Sequence, residues 1–194
     1  MASFTVESTH PWHAELQASL GKDAKERMKL AIAKAKRDAV DTRLPISSRL
    51  PEIERLRLGP FSEVGPLLLN CLDPASPPEI QSQALSALLS FTKESQVAIL
   101  LVDHWTSLSP TLREYAVDGL LTRPTWTLDV LSALEESKIK PSDFQTAQIR
   151  WLLKHPDPAI QKLASQVLMA ESDRTKVVEQ YGVCLLYTSD AADD

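Results

Sequence analysis

Two cysteines are too few for a disulfide framework or a Cys-rich zinc module. Five glycines leave little material for hairpin turns, which argues against an all-β chain. No run of about 18 apolar residues occurs, so no stretch reads as a membrane-spanning helix. Residues 1–20 carry no basic stretch followed by an apolar one, the mark of a secretory leader. Also missing are a Gly-rich phosphate loop, a Gly-x-Ser-x-Gly elbow and a His-Glu-x-x-His pair, so no enzyme class is indicated.

What is present is apolar material and proline. Apolar residues make up 43% of the 194, enough for a sizeable core, and the length suits one domain or one stretch of a repeat array. From Pro45 to Pro158, prolines divide the chain into short segments with helical apolar spacing, and no segment alternates long enough to be a strand. The spacing predicts helices over 12–20, 22–42, 46–58, 61–72, 78–91, 93–106, 109–122, 124–138, 143–154, 156–170 and 173–182. Ser109-Pro110 and Asp157-Pro158 set a capping oxygen before a proline at the first helical position. Pro51 and Pro66 fall inside predicted helices, as members of a first turn or as kinks. The fold class expected is all-α.

Three of these helices share the pattern Pro-x-[Ile/Leu]-[Gln/Arg]-x-x-Ala-x-x-x-Leu. They open at Pro78, Pro110 and Pro158, with Ala84, Ala116 and Ala164 at the centre and Leu88, Leu120 and Leu168 at the end. Arg49, Glu52 and Leu56 hold the same offsets in a weaker copy in which Glu replaces Ala. The first three copies stand 32 residues apart. The last gap is 48, which leaves room for an inserted turn or helix around Lys138–Gln145. Ile/Leu, Ala and Leu at i, i+4 and i+8 line one helix face; the small Ala admits a neighbouring helix and the Leu fills the groove. One such pair cannot bury its stripe, but stacked pairs can. Asp157-Pro158-Ala-Ile-Gln161 with Ala164 and Leu168 looks like the second helix of a HEAT repeat, so a HEAT-like α-solenoid of stacked antiparallel helix pairs is expected. Its parts would be an N-terminal lead-in and basic helix over 1–45, the repeat array over 46–182, and a tail over 183–194.

Charge is unevenly spread. Residues 1–59 hold 11 Lys/Arg against 8 Asp/Glu, whereas residues 60–194 hold 10 against 18. Lys22, Lys25, Arg27, Lys29, Lys34, Lys36, Arg37 and Arg43 concentrate the basic excess. They offer a nucleic-acid face, but Asp23, Glu26, Asp38 and Asp41 are interspersed and favour a solvated one. His10 and His13 flank Pro11 and share no helical face, while His104 and His155 stand singly near helix ends. No His/Cys/Asp/Glu set has ligand spacing, so no metal site is expected. Cys71 reads as a small buried residue. Trp105, Trp126 and Trp151 read as packing residues, and Glu135 and Glu136 as a solvated helix end. No catalytic, cofactor-binding or metal residue is assigned.

A resemblance adds a function. From Ile46 to Tyr181 the chain resembles the HEAT-repeat region of PVC-type c-type cytochromes, often labelled membrane-bound dehydrogenases. The stretches that carry it are Leu58-Gly-Pro-Phe61, Leu72-Asp-Pro74 with Pro77-Pro-Glu-Ile-Gln81, Trp105-Thr-Ser-Leu-Ser-Pro110, Leu120-Leu-Thr-Arg-Pro124, His155-Pro-Asp-Pro158 and Asp173-Arg-Thr-Lys-Val-Val-Glu-Gln-Tyr181. The resemblance implies a haem c domain downstream, opened by Cys-x-x-Cys-His, a β-propeller upstream, and work outside the cytoplasm in the periplasm. The sequence departs from the family after Tyr181: no Cys-x-x-Cys-His follows, and Cys184–Asp194 resembles a translated sequencing adapter. The expectation is a non-catalytic scaffold fragment that positions the haem domain of an electron-transfer protein. A stand-alone HEAT-like protein–protein adaptor is the alternative, and a weak nucleic-acid binder through Lys22–Arg43 the third reading.

Overall fold

The computed structural model describes residues 21–168, and every regular element among them is helical. The all-α fold class is therefore observed. The predicted helices at 12–20 and 173–182, together with His10, His13, Trp12 and the 183–194 tail, lie outside the described residues. The chain divides between Phe91 and Thr92 into two compact units.

The first unit holds α1 (Lys22–Asp38), α2 (Ile46–Leu56), α3 (Phe61–Cys71) and α4 (Pro78–Leu89). α1 packs on α2, α2 on α4 and α3 on α4, so helices two apart in sequence are stacked in a solenoid-like way. Ile32, Ala35, Ile53, Leu56, Val64, Leu68, Ile80, Ala84 and Leu88 supply the buried face. Gly59, between α2 and α3, is where three elements meet: a Cβ there would lie 2.7 Å from Val64 Cγ1 and 3.3 Å from Ile32 Cγ2. Phe61 and Phe91 tilt against each other with centroids 5.2 Å apart.

The second unit holds α5 (Gln96–Asp103), a 3₁₀ turn (Trp105–Ser107), α6 (Pro110–Leu120), α7 (Pro124–Glu135), a second 3₁₀ turn (Pro141–Asp143), α8 (Thr146–Leu153) and α9, helical over 158–168. α5 and α6 both pack on α7. The insertion expected near Lys138–Gln145 is the second 3₁₀ turn with its flanking coil, close to where a further 32-residue copy would have begun.

Most pattern positions are buried, but Leu168, the last apolar position of the third copy, is only half-buried. Ala84, Ala116 and Ala164 are completely buried, as are Ile80, Leu120 and Ile160. The expected caps form: Ser109 Oγ accepts the Leu112 N–H at 3.3 Å, and Asp157 Oδ1 accepts the Ala159 N–H at 2.9 Å.

Several boundaries differ from the sequence reading. The helix expected over 22–42 ends at Asp38, followed by a turn in which Asp41 Oδ1 accepts the Arg43 backbone N–H at 3.0 Å. A local Asx bond of this kind competes with continued helix. The helix expected over 93–106 is only Gln96–Asp103, with a tighter turn after it. Pro51 and Pro66 are each the sixth residue of their helices and lie beyond the first turn. Both face solvent, as do Ser47 and Ser62 four residues back, so the carbonyls that lose a helical N–H partner can be hydrated.

The helix expected over 124–138 stops at Glu135 because the chain turns left-handed at Ser137, with φ of 59°. The Ser137 N–H reaches Leu134 O at 3.0 Å, and the Lys138 N–H reaches Ala133 O at 2.9 Å. This is the hydrogen-bond pair of a Schellman ending, with serine where glycine is usual.

Candidate functional site

The fourth residue of α2, α4, α6 and α9 makes one recurrent contact. Arg49 Nε donates to Ala39 O at 3.0 Å, and Gln81 Nε2 to Asp73 O at 2.7 Å. Arg113 Nε donates to Trp105 O at 3.0 Å, and Gln161 Nε2 to Leu153 O at 3.2 Å. Each acceptor lies at or just beyond the C-terminal end of the preceding α-helix, and Asp73 O and Trp105 O also accept the Ser76 and Leu108 backbone N–H groups. A long side chain with a planar N–H donor spans that elbow, which explains why the position holds Gln or Arg. The bond joins two consecutive helices and fixes the angle at which the second leaves the first. It is a mechanical feature repeated four times among the described residues.

Arg113 carries a second set of contacts. Its Nη2 donates to Thr106 O at 3.2 Å and its Nη1 to Asp143 Oδ1 at 3.5 Å. Asp143 also accepts the Trp105 indole N–H at 2.9 Å and the Lys140 backbone N–H at 3.1 Å. The 3₁₀ turn therefore delivers one carboxylate to an arginine and a tryptophan. Sequence reasoning missed Asp143, because its partners lie 30 and 38 positions away.

Half of the eight basic residues between Lys22 and Arg43 are paired with acidic side chains. Lys34 Nζ lies 2.7 Å from Asp38 and 2.7 Å from Glu52. Lys36 lies 3.0 Å from Glu63, Arg43 2.8 Å from Asp41 and Lys29 3.8 Å from Glu26. The Asp38 bond, then the Glu52 bond, raises the Lys34 pKa. Glu52 is buried and is held below its ordinary value by its bonds to Arg55 and then Lys34. Asp41 is lowered to about 2 by the side-chain and backbone hydrogen bonds of Arg43. The glutamate that replaces alanine in the weaker copy thus links α2 to α1 through Lys34, beside the buried Ile32 and Ala35.

The remaining candidates resolve individually. Trp105 and Trp126 are buried as expected, the latter donating its indole N–H to Glu94 O at 3.1 Å with Arg123 5.5 Å from its ring centroid. Trp151 corrects the expectation: it is 43% exposed and packs edge-to-face with His155, centroids 4.6 Å apart. The short α8 buries Leu152, and the adjacent position points outward. His155 Nδ1 accepts the Asp157 N–H at 3.0 Å, while His104 Nδ1 contacts Leu100 O at 2.8 Å; both rings serve helix ends. Cys71 is buried, and burial pushes its thiol pKa up. Glu135 and Glu136 are exposed, Glu136 pairing with Lys138 at 2.9 Å. Among the described residues no three His, Cys, Asp or Glu side chains gather as metal ligands, and no helix is long and apolar enough to cross a membrane.

No family model matches the chain, and neither a curated protein nor a solved structure does. Fold and geometry define its class: an all-α, solenoid-like protein whose helix pairs are tied at the elbow by a recurrent side-chain-to-carbonyl bond.

Proposed function

We propose that the chain is a non-catalytic HEAT-like scaffold that holds an adjoining haem c domain of an electron-transfer protein in position. The observation that carries the mechanical half is the carbonyl clamp at Arg49, Gln81, Arg113 and Gln161. Repeating one elbow bond gives successive helix pairs a defined geometry, and a spacer needs that property. The redox half rests on the resemblance of residues 46–181 to the repeat region of c-type cytochromes. Haem c and a periplasmic setting belong to the proposed parent, and no residue of this chain is given a role as haem ligand. The partners proposed are the parent's own haem and β-propeller domains.

Recovering the gene from DNA prepared without sequencing adapters tests this. The expected result is a reading frame that departs from the present sequence near Cys184 and runs into Cys-x-x-Cys-His. A native stop codon directly after the codon for Asp194 would overturn it and leave the stand-alone adaptor.

A further inference from the structure

α1 packs chiefly on α2, where Ile32 and Ala35 are buried. Its opposite face is open. Glu26, Leu30, Ala33 and Arg37 are all exposed there, Leu30 by 70%, the most of any large apolar residue described. Their spacing of four, three and four puts them on one stripe about 16 Å long, the seam spacing by which one helix meets another. A single exposed leucine is ordinary on a monomer. What singles out this stripe is its order of charge: an acid at the N-terminal end, two apolar residues at the centre and a base at the C-terminal end. Arg37 has no acidic partner among the described residues, and Glu26 has only Lys29 of its own helix, at 3.8 Å.

We propose that a second copy of this chain docks on this face, the two α1 helices packing antiparallel about a two-fold axis. A stripe that runs acid, apolar, apolar, base is complementary to itself when reversed. With Leu30 of one copy against Ala33 of the other, the contact is centred level with the peptide bond between Ala31 and Ile32. Glu26 and Arg37 are centred at the same level, so this register sets Glu26 of each copy opposite Arg37 of the other. The small Ala33 leaves room for the leucine that faces it. A parallel pair would instead set Arg37 against Arg37 and Glu26 against Glu26. Glu26 on the stripe and the exposed Asp23 beside it disfavour a phosphate backbone or an anionic lipid surface as the occupant. A contact of this length lies below the roughly 1,200 Å² of stable interfaces, so half-association belongs near about 100 µM. Pairing would join two scaffold chains side by side, a property independent of the haem reading.

The test is sedimentation equilibrium on the full chain, under reductant, from about 5 µM to about 1 mM. The mass should rise with concentration toward that of a dimer and no further. Leu30→Ser should weaken association about tenfold or more, since the two-fold axis removes both apolar contacts at once. Arg37→Glu should also weaken it about tenfold or more, and adding Glu26→Arg should return it to within about threefold of the parent. Lys25→Glu makes the same charge change off the stripe and should leave association unchanged. All four substituted positions are exposed, so circular dichroism should give the same helix content in every variant. A chain that stays monomeric throughout, one that grows past a dimer, or a dimer indifferent to Leu30→Ser would overturn the proposal. An equal loss in Lys25→Glu and Arg37→Glu, or no rescue by Glu26→Arg, would overturn the antiparallel register.

Discussion

Gln81 donates its side-chain amide to the carbonyl of Asp73 across 2.7 Å, closing the elbow between α3 and α4 from eight residues away. Gln161 spans the same eight residues to Leu153. The donor is the only polar position of the repeat pattern, and it acts on the loop, whereas the apolar positions act on the neighbouring helices. Removing it should weaken the elbow without disturbing the seam. Gln81→Ala is expected to lower unfolding stability by about 1 kcal/mol, while Gln81→Arg, which places the side chain found at Arg49 and Arg113, should stay within about 0.5 kcal/mol of the parent. Urea denaturation measures both, and equal losses in the two variants would show that the bond contributes nothing specific.

The buried alanines set how closely helices approach. Ala84 has no exposed surface. Ala84→Leu adds volume where α4 meets α2 and α3 and should cost about 1–3 kcal/mol by overpacking. Ser82→Ala, on the exposed side of the same helix, should stay within about 0.5 kcal/mol. Thermal unfolding of the two variants would show no difference if the face assignment were wrong.

Ser137 holds a left-handed conformation that costs a residue with a Cβ about 1–2 kcal/mol relative to glycine. Ser137→Gly should therefore raise stability, by about 1 kcal/mol once the greater freedom of glycine in the unfolded chain is counted. A fall in the urea midpoint would contradict the turn geometry.

The Glu52 cluster gives a pH dependence with a definite sign. In the folded chain the Glu52 pKa lies below its ordinary 4.5, held there by Arg55 and Lys34. The stabilisation is complete above the unfolded pKa and is lost as the pH falls through the lower folded value. Stability should therefore decline on acidification from about pH 4.5 downward, and Glu52→Gln should make that decline shallower. Parallel acid profiles for the two proteins would mean that the cluster is not coupled to folding.

Sequence alone made the helices and their buried stripe legible. Proline boundaries and apolar residues at i, i+4 and i+8 are local properties, and local stereochemistry decides them. The caps at Ser109 and Asp157 were equally readable, since donor and acceptor lie within a single turn. The shortened helix ends were not. A pattern can continue through Val40 or Phe91 while an Asx turn or a change of partner stops the helix. The role of Gln or Arg in the repeat, the carboxylate of Asp143, the Lys34–Glu52 link and the outward face of Trp151 emerged only from the tertiary structure. Each depends on where one helix ends relative to the next, and packing between segments distant in sequence sets that distance.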